Sequence, residues 1–410
     1  MKTLWLLSFK SIRSRQSAFS LSIISIAISI ILLLGINQLQ KDTKTHFLNT
    51  ISQTQLIAAA PNGAINILLT TIFHIGGSRD RIKYESFKKI KKIKEVAWAI
   101  PIALGDSHKG FSVIGSDNSY FKHYQYQNKK YLTLKKGSFF KNFYDVVIGA
   151  NIAKQLHYKI GDTIHLEHAH KHLHANRDFK IVGILSPSIT PNDNTLFVQL
   201  KVLEAIHIEW QSGHFVDMHL SSESLTHMKI VPKHLSGVLI GLKDKSTLLH
   251  VKDTIMHFKD DNIQAIIPAK ALASLFKLLK NMQSVLSLIS SAVFIAAIFG
   301  MLSIMFSTLN ERRREISIFR ALGAPAKTIF LLFGIEAFLS VLGGIVLGII
   351  ILKILLFTAS ILYAVPLYYH FNINDTLLLL AMLFIGVMSS FLPALQSYKH
   401  SLQDGLMVKN

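Results

Sequence analysis

The chain has 410 residues, a mean hydropathy of +0.37 and 17% charged residues, whereas an ordinary soluble domain has about 25%. Half of the residues are apolar and none is cysteine, which excludes a disordered chain, a disulfide scaffold, thiolate catalysis and iron–sulfur clusters. A formal net charge of +20 combined with this hydropathy favours a membrane protein carrying a polar domain, with no nucleic acid among its partners.

Four apolar segments are long enough to cross a bilayer, because a hydrocarbon core of about 30 Å requires about 20 helical residues. They cover residues 20–36, 285–309, 329–357 and 376–395. Four basic residues precede the first segment, as in a signal peptide, but no small-residue cleavage site follows it. We therefore expect an uncleaved anchor and a membrane α-helical fold with four transmembrane helices.

The distribution of basic residues in short loops predicts the orientation, since Lys and Arg are retained on the cytoplasmic side. They crowd the N-terminal tail and the loop between the second and third segments, whereas residues 359–375 contain none. Both termini are therefore expected in the cytoplasm. The predicted domains are an N-terminal segment with helix 1 at 1–40, an extracytoplasmic domain at 41–282, and helices 2–4 with a cytoplasmic coupling loop (310–327) and a tail at 283–410.

The long segment between the first two spans has the pattern of a mixed α/β domain. Short β-branched or apolar runs bounded by turn residues predict strands at 96–104, 111–115, 163–166, 179–185, 196–198 and 237–242. Helical spacing of apolar residues predicts helices at 84–94, 149–156, 201–207 and 245–258. Residues 64–76 are apolar but too short to span, so they form either an interfacial helix or an element of the domain core.

Histidine is concentrated in this domain, which holds 17 of the 19 histidines of the chain. The densest cluster consists of His165, His168, His170, His172 and His174, with Glu167 among them. On a strand the last four histidines would share one face, and neutral imidazole is a common ligand of zinc. Two interpretations stay open, a solvated polar hairpin tip and a contact with divalent metal, of which zinc is the candidate ion.

The third span contains two further candidate features. Gly344 and Gly348 form a GxxxG motif, which permits close packing of membrane helices, although one such match also arises by chance. Glu336 is an ionisable residue within the same span. It either has a functional role inside the membrane or lies near enough to the helix end to reach the cytoplasmic interface.

The most specific stretch of the sequence is residues 311–348, ERRREISIFRALGAPAKTIFLLFGIEAFLSVLGGIVLG. It resembles the cytoplasmic loop and third helix of FtsX-like ABC permeases of the macrolide-exporter and lipoprotein-releasing type. The family's Glu-Arg-x-x-Glu-Ile run and Arg-x-Leu-Gly-Ala turn correspond to Glu311, Arg312, Arg314, Glu315, Ile316, Arg320, Leu322, Gly323 and Ala324. Residues 147–166 and 179–187 resemble family segments of the outer domain. Pro393 and Ala394 resemble the family's C-terminal motif, although Ser397 replaces its usual alanine.

The resemblance implies the permease subunit of an ABC transport or mechanotransmission complex in a bacterial inner membrane. Its partners would be a separate ATPase chain, a second permease chain in a homodimer, membrane lipid, and a periplasmic or lipoprotein partner. The coupling residues would be Glu311, Arg312, Arg314, Glu315, Arg320, Leu322 and Gly323. No phosphate-binding loop or hydrolase motif occurs in the chain, so the subunit is expected to be non-catalytic. The alternative is a membrane-anchored sensor or scaffold with a ligand-binding domain and no ATPase.

Overall fold

The computed structural model describes residues 16–51, 53–76, 80–127, 129–168, 178–208, 230–307, 325–363, 369 and 371–406. The chain divides into two compact units. The helical unit comprises Met1–Asp42 and Lys280–Asn410, and the α/β unit comprises Thr43–Leu279.

The helices, numbered in chain order, are α1 (Gln16–Thr50), α2 (Ala64–Thr71), α3 (Tyr84–Lys91), α4 (Ser119–His123), α5 (Ala150–Gln155), α6 (Leu200–Ile208), α7 (Leu248–Met256), α8 (Pro268–Ser307), α9 (Ala326–Tyr363), α10 (Ile373–Ser389) and α11 (Phe391–Leu406). Short 3₁₀ helices lie at Pro191–Asn194 and Lys245–Thr247. The helix expected at 245–258 therefore begins as a 3₁₀ turn, because the Asp244 carboxylate accepts a hydrogen bond from the backbone N–H of Ser246 and caps it.

The strands are β1 (Leu56–Ala59), β2 (Ile82–Lys83), β3 (Val96–His108), β4 (Phe111–Ser116), β5 (Gln125–Tyr126), β6 (Lys130–Tyr131), β7 (Leu134–Gly137), β8 (Asp145–Ile148), β9 (Thr163–Ile164), β10 (Glu167–His168), β11 (Phe179–Leu185), β12 (Thr195–Gln199), β13 (His234–Leu235), β14 (Gly237–Leu242) and β15 (Gln264–Ile266). The strand expected at 163–166 is thus two residues long, since β9 pairs with β11 only through Thr163 and Ile164.

Within the described residues, four helical segments are long and apolar enough to cross a membrane. They are Phe19–Thr50, Pro268–Ser307, Lys327–Leu362 and Ile373–Tyr398. The last consists of α10 and α11, which are separated at Ser390; Pro393 lies in the first turn of α11, where its missing N–H costs no helical hydrogen bond. The predicted membrane fold of four helices, with a mixed α/β domain between the first two, is confirmed.

The α/β unit is built on one large mixed sheet with the strand order β15-β1-β14-β3-β4-β12-β8-β11-β7. Most neighbours are antiparallel, but β4 pairs with β12 and β8 pairs with β11 in parallel. The long strand β3 joins the β14 side of the sheet to the β4 side, with a register shift between Leu104 and Asp106. Buried apolar clusters cover both faces of this sheet.

The short apolar segment after α1 is part of this core. Helix α2 buries Ile67 and Leu68 completely or nearly so, and Ile72 just beyond it is 2% exposed. These side chains join the cluster that contains Phe197 on β12. Of the two alternatives for residues 64–76, the structure selects the core element.

Candidate functional site: the membrane helices and the segment between α8 and α9

The glycines of the third span form a contact surface for α1. A Cβ added at Gly344 would lie 2.5 Å from Ile26 Cγ2, and one added at Gly348 would lie 2.9 Å from both Ala27 O and Ile30 Cβ. Real Cβ atoms do not approach neighbours at either of these distances, so the absence of a side chain at Gly344 and Gly348 is what allows the two helices to approach. Gly344 and Gly348 therefore pack α9 directly against α1 of the same chain.

Two polar residues continue the same ridge of α9. Glu336, Ser340, Gly344 and Gly348 recur every four residues, which places them on one face of the helix. Glu336 is 5% exposed and Ser340 is 2% exposed. The Glu336 side chain thus lies inside the helical unit, and the alternative in which it reaches out to an interface does not match its burial. A buried carboxyl group within a membrane span marks a functional position by default.

Sequence reasoning did not single out Ser340, although the four-residue repeat that joins it to Glu336 and Gly344 is visible in the sequence. The signal was missed because serine is common in membrane helices and satisfies itself through a backbone carbonyl one turn back. Only the burial of the whole ridge shows that Ser340 belongs to the contact surface of α9.

The segment expected to couple to an ATPase lies between the described ends of α8 and α9. Its residues Glu311, Arg312, Arg314, Glu315, Arg320, Leu322 and Gly323 are outside the described residues. On its C-terminal side Pro325 O accepts a hydrogen bond of 2.9 Å from Thr328 N, which starts α9, and Lys327 is exposed in this first turn.

The histidine-rich segment is described only at its two ends. His170, His172 and His174 lie outside the described residues, and Glu167 and His168 form the two-residue strand β10 beside β3. His165 Nδ1 lies 3.8 Å from Asp178 Oδ1, so these two exposed side chains approach each other across the segment. Within the described part of the chain, no group of three or more metal-ligating side chains converges.

A buried histidine anchors the first end of this segment. His108 Nδ1 donates to His165 O at 2.6 Å, and its Nε2 accepts from the Tyr158 hydroxyl at 2.9 Å. Burial lowers the pKa of His108, with an opposing effect from the hydrogen bond to the His165 carbonyl. The ring is therefore neutral at pH 7 and fixes where residue 165 leaves the sheet.

Two family profiles together match most of the chain. The profile of the MacB-like periplasmic core domain matches residues 19–255, more than half of the chain, and that of the FtsX-like permease C-terminal domain matches residues 287–402. The first profile covers α1 and most of the α/β unit, and the second covers the membrane helices that follow it.

One curated relative is the macrolide export ATP-binding/permease protein MacB of Photorhabdus laumondii subsp. laumondii. It is 36% identical over 152 residues, a stretch that covers 36% of this chain and 22% of the relative. The matched stretch is thus less than a quarter of the relative's length.

Two solved structures of outer domains are similar at 11% identity. The extracellular domain of the noncanonic ABC-type transporter YknZ from Gram-positive bacteria matches with a TM-score of 0.32 over 52% of this chain and 99% of its own. The periplasmic region of MacB from Actinobacillus actinomycetemcomitans matches with a TM-score of 0.35 over 56% of this chain and 97% of its own. The two family profiles, not these structures, carry the assignment: the chain belongs to the FtsX-like ABC permeases and has a MacB-like periplasmic core domain between its first two membrane helices.

Proposed function

We propose that this chain is the membrane subunit through which a separate ATPase acts on the extracytoplasmic domain, in a complex with two permease chains. The observation that carries the proposal is the order of its parts. A folded α/β domain lies between the first two apolar helices, and the charged segment of residues 311–324 lies between the second and third, with the matching family profiles in the same order.

The charged segment suits a protein contact on the cytoplasmic side. Acidic and basic residues occur together at Glu311, Arg314 and Glu315, and the sequence Gly323-Ala324-Pro325 is typical of a turn that precedes a new helix. A docked ATPase would therefore push on the start of α9. Because Gly344 and Gly348 press α9 against α1, a displacement of α9 is transmitted to the helix that leads into β1 of the outer domain.

The packing also limits how two permease chains would associate. The glycine face of α9 is covered by α1 of the same chain, so a second chain has to bind elsewhere on the helical unit. The GxxxG motif is accordingly assigned to packing within one chain, and its substitution would disturb the fold of each subunit before it disturbed the dimer.

The proposed localisation is a bacterial inner membrane with both termini in the cytoplasm. Because the chain has no cysteine, a single introduced cysteine reports its side of the membrane without a background. In intact spheroplasts, a membrane-impermeant maleimide should label Lys129→Cys but should label Gly323→Cys only after permeabilisation. If Gly323→Cys were labelled in intact spheroplasts and Lys129→Cys only after permeabilisation, the orientation would be opposite to the one proposed.

The association with an ATPase is tested by purifying the tagged full-length chain from its native membranes in mild detergent. We expect an ATP-binding-cassette protein to co-purify, and its ATP turnover to rise when it is mixed with the chain. If no ATPase co-purifies and none is stimulated, the alternative of a sensor or scaffold with a ligand-binding domain is favoured.

A second candidate function is zinc binding by the histidine-rich segment, as part of divalent metal handling. The observation in its favour is that His165 and Asp178 approach to 3.8 Å at the two ends of the segment, which would bring further imidazoles between them together. Zinc takes four ligands in a tetrahedral arrangement. The segment contains six candidate ligands, which are His165, Glu167, His168, His170, His172 and His174.

Calorimetric titration of the purified chain with zinc at pH 7.5 tests this candidate. Binding should weaken as the pH falls through about 6.5, because protonated imidazole does not coordinate metal. The variant with His168, His170 and His172 changed to Ala should lose the binding. Equal uptake by wild type and variant would mean that the segment is a solvated loop.

A further inference from the structure

The helical unit has an apolar groove on the side of α9 that faces away from α1. Its volume is about 740 Å³, and its walls come from α9, α10 and the first residue of α11. The residues that define it are Lys327, Phe330, Gly334, Phe338, Val387 and Phe391. We call it the α9–α11 groove.

A glycine forms the open floor of this groove. A Cβ added at Gly334 would meet no atom within 4 Å, in contrast to the glycines on the opposite ridge of α9. The rings of Phe330 and Phe391 lie beside it with their centroids 5.8 Å apart. The groove is therefore a channel in the helix surface that the chain's own described side chains do not fill.

The dimensions of the α9–α11 groove match one leaflet of a bilayer. Lys327 and Phe338 are eleven residues apart on one helix, a rise of about 16 Å, and one half of a bilayer hydrocarbon core is about 15 Å thick. The groove has walls of aromatic and aliphatic side chains along this length. It is suited to an extended acyl chain that enters from the interface.

The charge at one end identifies the class of lipid. Lys327 is exposed in the first turn of α9, and among the described residues that line the groove it is the one that carries a charge. Basic side chains between membrane helices on the cytoplasmic side attract anionic headgroups. A phospholipid whose phosphate lies at the level of Lys327 would place an acyl chain along Gly334.

We propose that the α9–α11 groove holds one acyl chain of an anionic phospholipid of the cytoplasmic leaflet, with the lipid phosphate beside Lys327. The proposal relies on the orientation proposed above but on neither ATPase coupling nor zinc. A lipid there would fill the gap between the start of α9 and the break at Ser390, where α10 ends and α11 begins.

The test is to count retained lipids on the full-length chain. The protein is exchanged into nanodiscs of equal parts phosphatidylglycerol and phosphatidylethanolamine, and native mass spectrometry then measures bound lipids after detergent extraction. Wild type should retain phosphatidylglycerol in preference to phosphatidylethanolamine. Gly334→Leu, which fills the floor, should lose one retained phosphatidylglycerol per chain.

A charge variant and a control complete the set: the first tests the contribution of Lys327, and the second tests whether any added leucine on an open helix surface displaces lipid. Lys327→Gln, at an exposed position, should lower the preference for phosphatidylglycerol about five-fold, the effect expected of one basic residue near a membrane surface. Gly300→Leu is the matched control, because Gly300 also has no atom within 4 Å of its added Cβ but lines a different groove between α1 and α8. It should retain lipid as wild type does.

Unchanged lipid counts in Gly334→Leu, or an unchanged lipid preference in Lys327→Gln, would overturn the proposal. So would rapid disulfide dimer formation by Gly334→Cys in the membrane, because this would show that a second copy of the chain, and not lipid, covers the groove. None of these outcomes bears on whether an ATPase binds the charged segment, so the lipid proposal and the proposed function fail separately.

Discussion

The glycines of α9 occupy two opposite environments within one helix. Gly344 lies against α1, with Ile26 Cγ2 only 2.5 Å from the place of a Cβ, whereas Gly334 has open space in the same position. Both are helical residues for which alanine has the better intrinsic propensity. The difference in their packing therefore determines whether a glycine-to-alanine substitution raises or lowers the stability of the protein.

We expect Gly344→Ala to destabilise the protein by about 1–3 kcal/mol, since the added methyl group displaces a buried isoleucine. Gly334→Ala is the control, and it should be neutral or stabilising by up to about 1 kcal/mol because it gains helix propensity and meets nothing. Thermal unfolding of the two variants in the same detergent measures the difference. Equal midpoints would contradict the packing of α9 on α1.

A buried histidine sets a pH dependence in the α/β unit. His74 is 3% exposed and in the left-handed region at φ 58°, with its Nδ1 2.9 Å from Thr195 Oγ1. The Thr195 hydroxyl donates to Pro191 O, so His74 Nδ1 donates to Thr195. Burial lowers the pKa of His74 to about 3, which keeps the ring neutral in the folded protein.

The folded state should therefore lose stability as the pH falls below 6.5, because the unfolded chain then binds a proton that folded His74 does not. The slope from this residue is at most about 1.4 kcal/mol per pH unit between 6.5 and the folded value. Asparagine tolerates left-handed backbone and does not titrate. His74→Asn should thus show a smaller fall in melting temperature from pH 7 to pH 5 than wild type. An identical fall would mean that His74 is protonated in the fold.

At the scale of elements, helix α2 follows β1 and packs its apolar side chains into the core of the sheet. Leu68 is fully buried, whereas Ile75 four residues beyond the helix is 61% exposed. An interfacial helix would instead have presented its apolar side chains outward.

Leu68→Ala should cost about 2–5 kcal/mol in the free energy of unfolding, as expected for a cavity in a packed core. Ile75→Ala is the control of the same chemical class, and it should change stability by about 0.5 kcal/mol or less. Chemical denaturation followed by tryptophan fluorescence measures both. A larger loss from Ile75 than from Leu68 would restore the interfacial alternative.

The elements that the sequence predicts well are those with local signals. Strands β11 and β14 have bounded β-branched runs, and both lie at the predicted residues. Strand β3 was expected to end at Leu104 because Gly105 and Asp106 have the composition of a turn, yet a register shift there lets the strand continue to His108. Strands β1 and β8 were missed because four-residue runs buried along their whole length have no alternation to reveal them.

At the scale of the molecule, the four membrane-spanning helices were predictable and the contacts between them were not. The thickness of the bilayer imposes a length and a composition that any spanning helix must show. A span that is apolar on all sides has no periodicity to indicate its neighbours. The contact of Gly344 with α1, the burial of Glu336 and the groove at Gly334 therefore required three-dimensional information.

The central claim is that the charged segment between α8 and α9 couples this chain to an ATPase. The direct measurement is ATP turnover of the partner ATPase reconstituted with the chain carrying Glu315→Lys and Arg320→Glu. The matched control is the exchange Glu85→Lys with Lys88→Glu, which reverses an exposed ion pair of 2.8 Å on α3 at the same net charge. We predict that the first double variant inserts into the membrane but leaves turnover at the level of the ATPase alone, while the control stimulates turnover as wild type does. Full stimulation and co-purification of the Glu315/Arg320 variant would contradict the account.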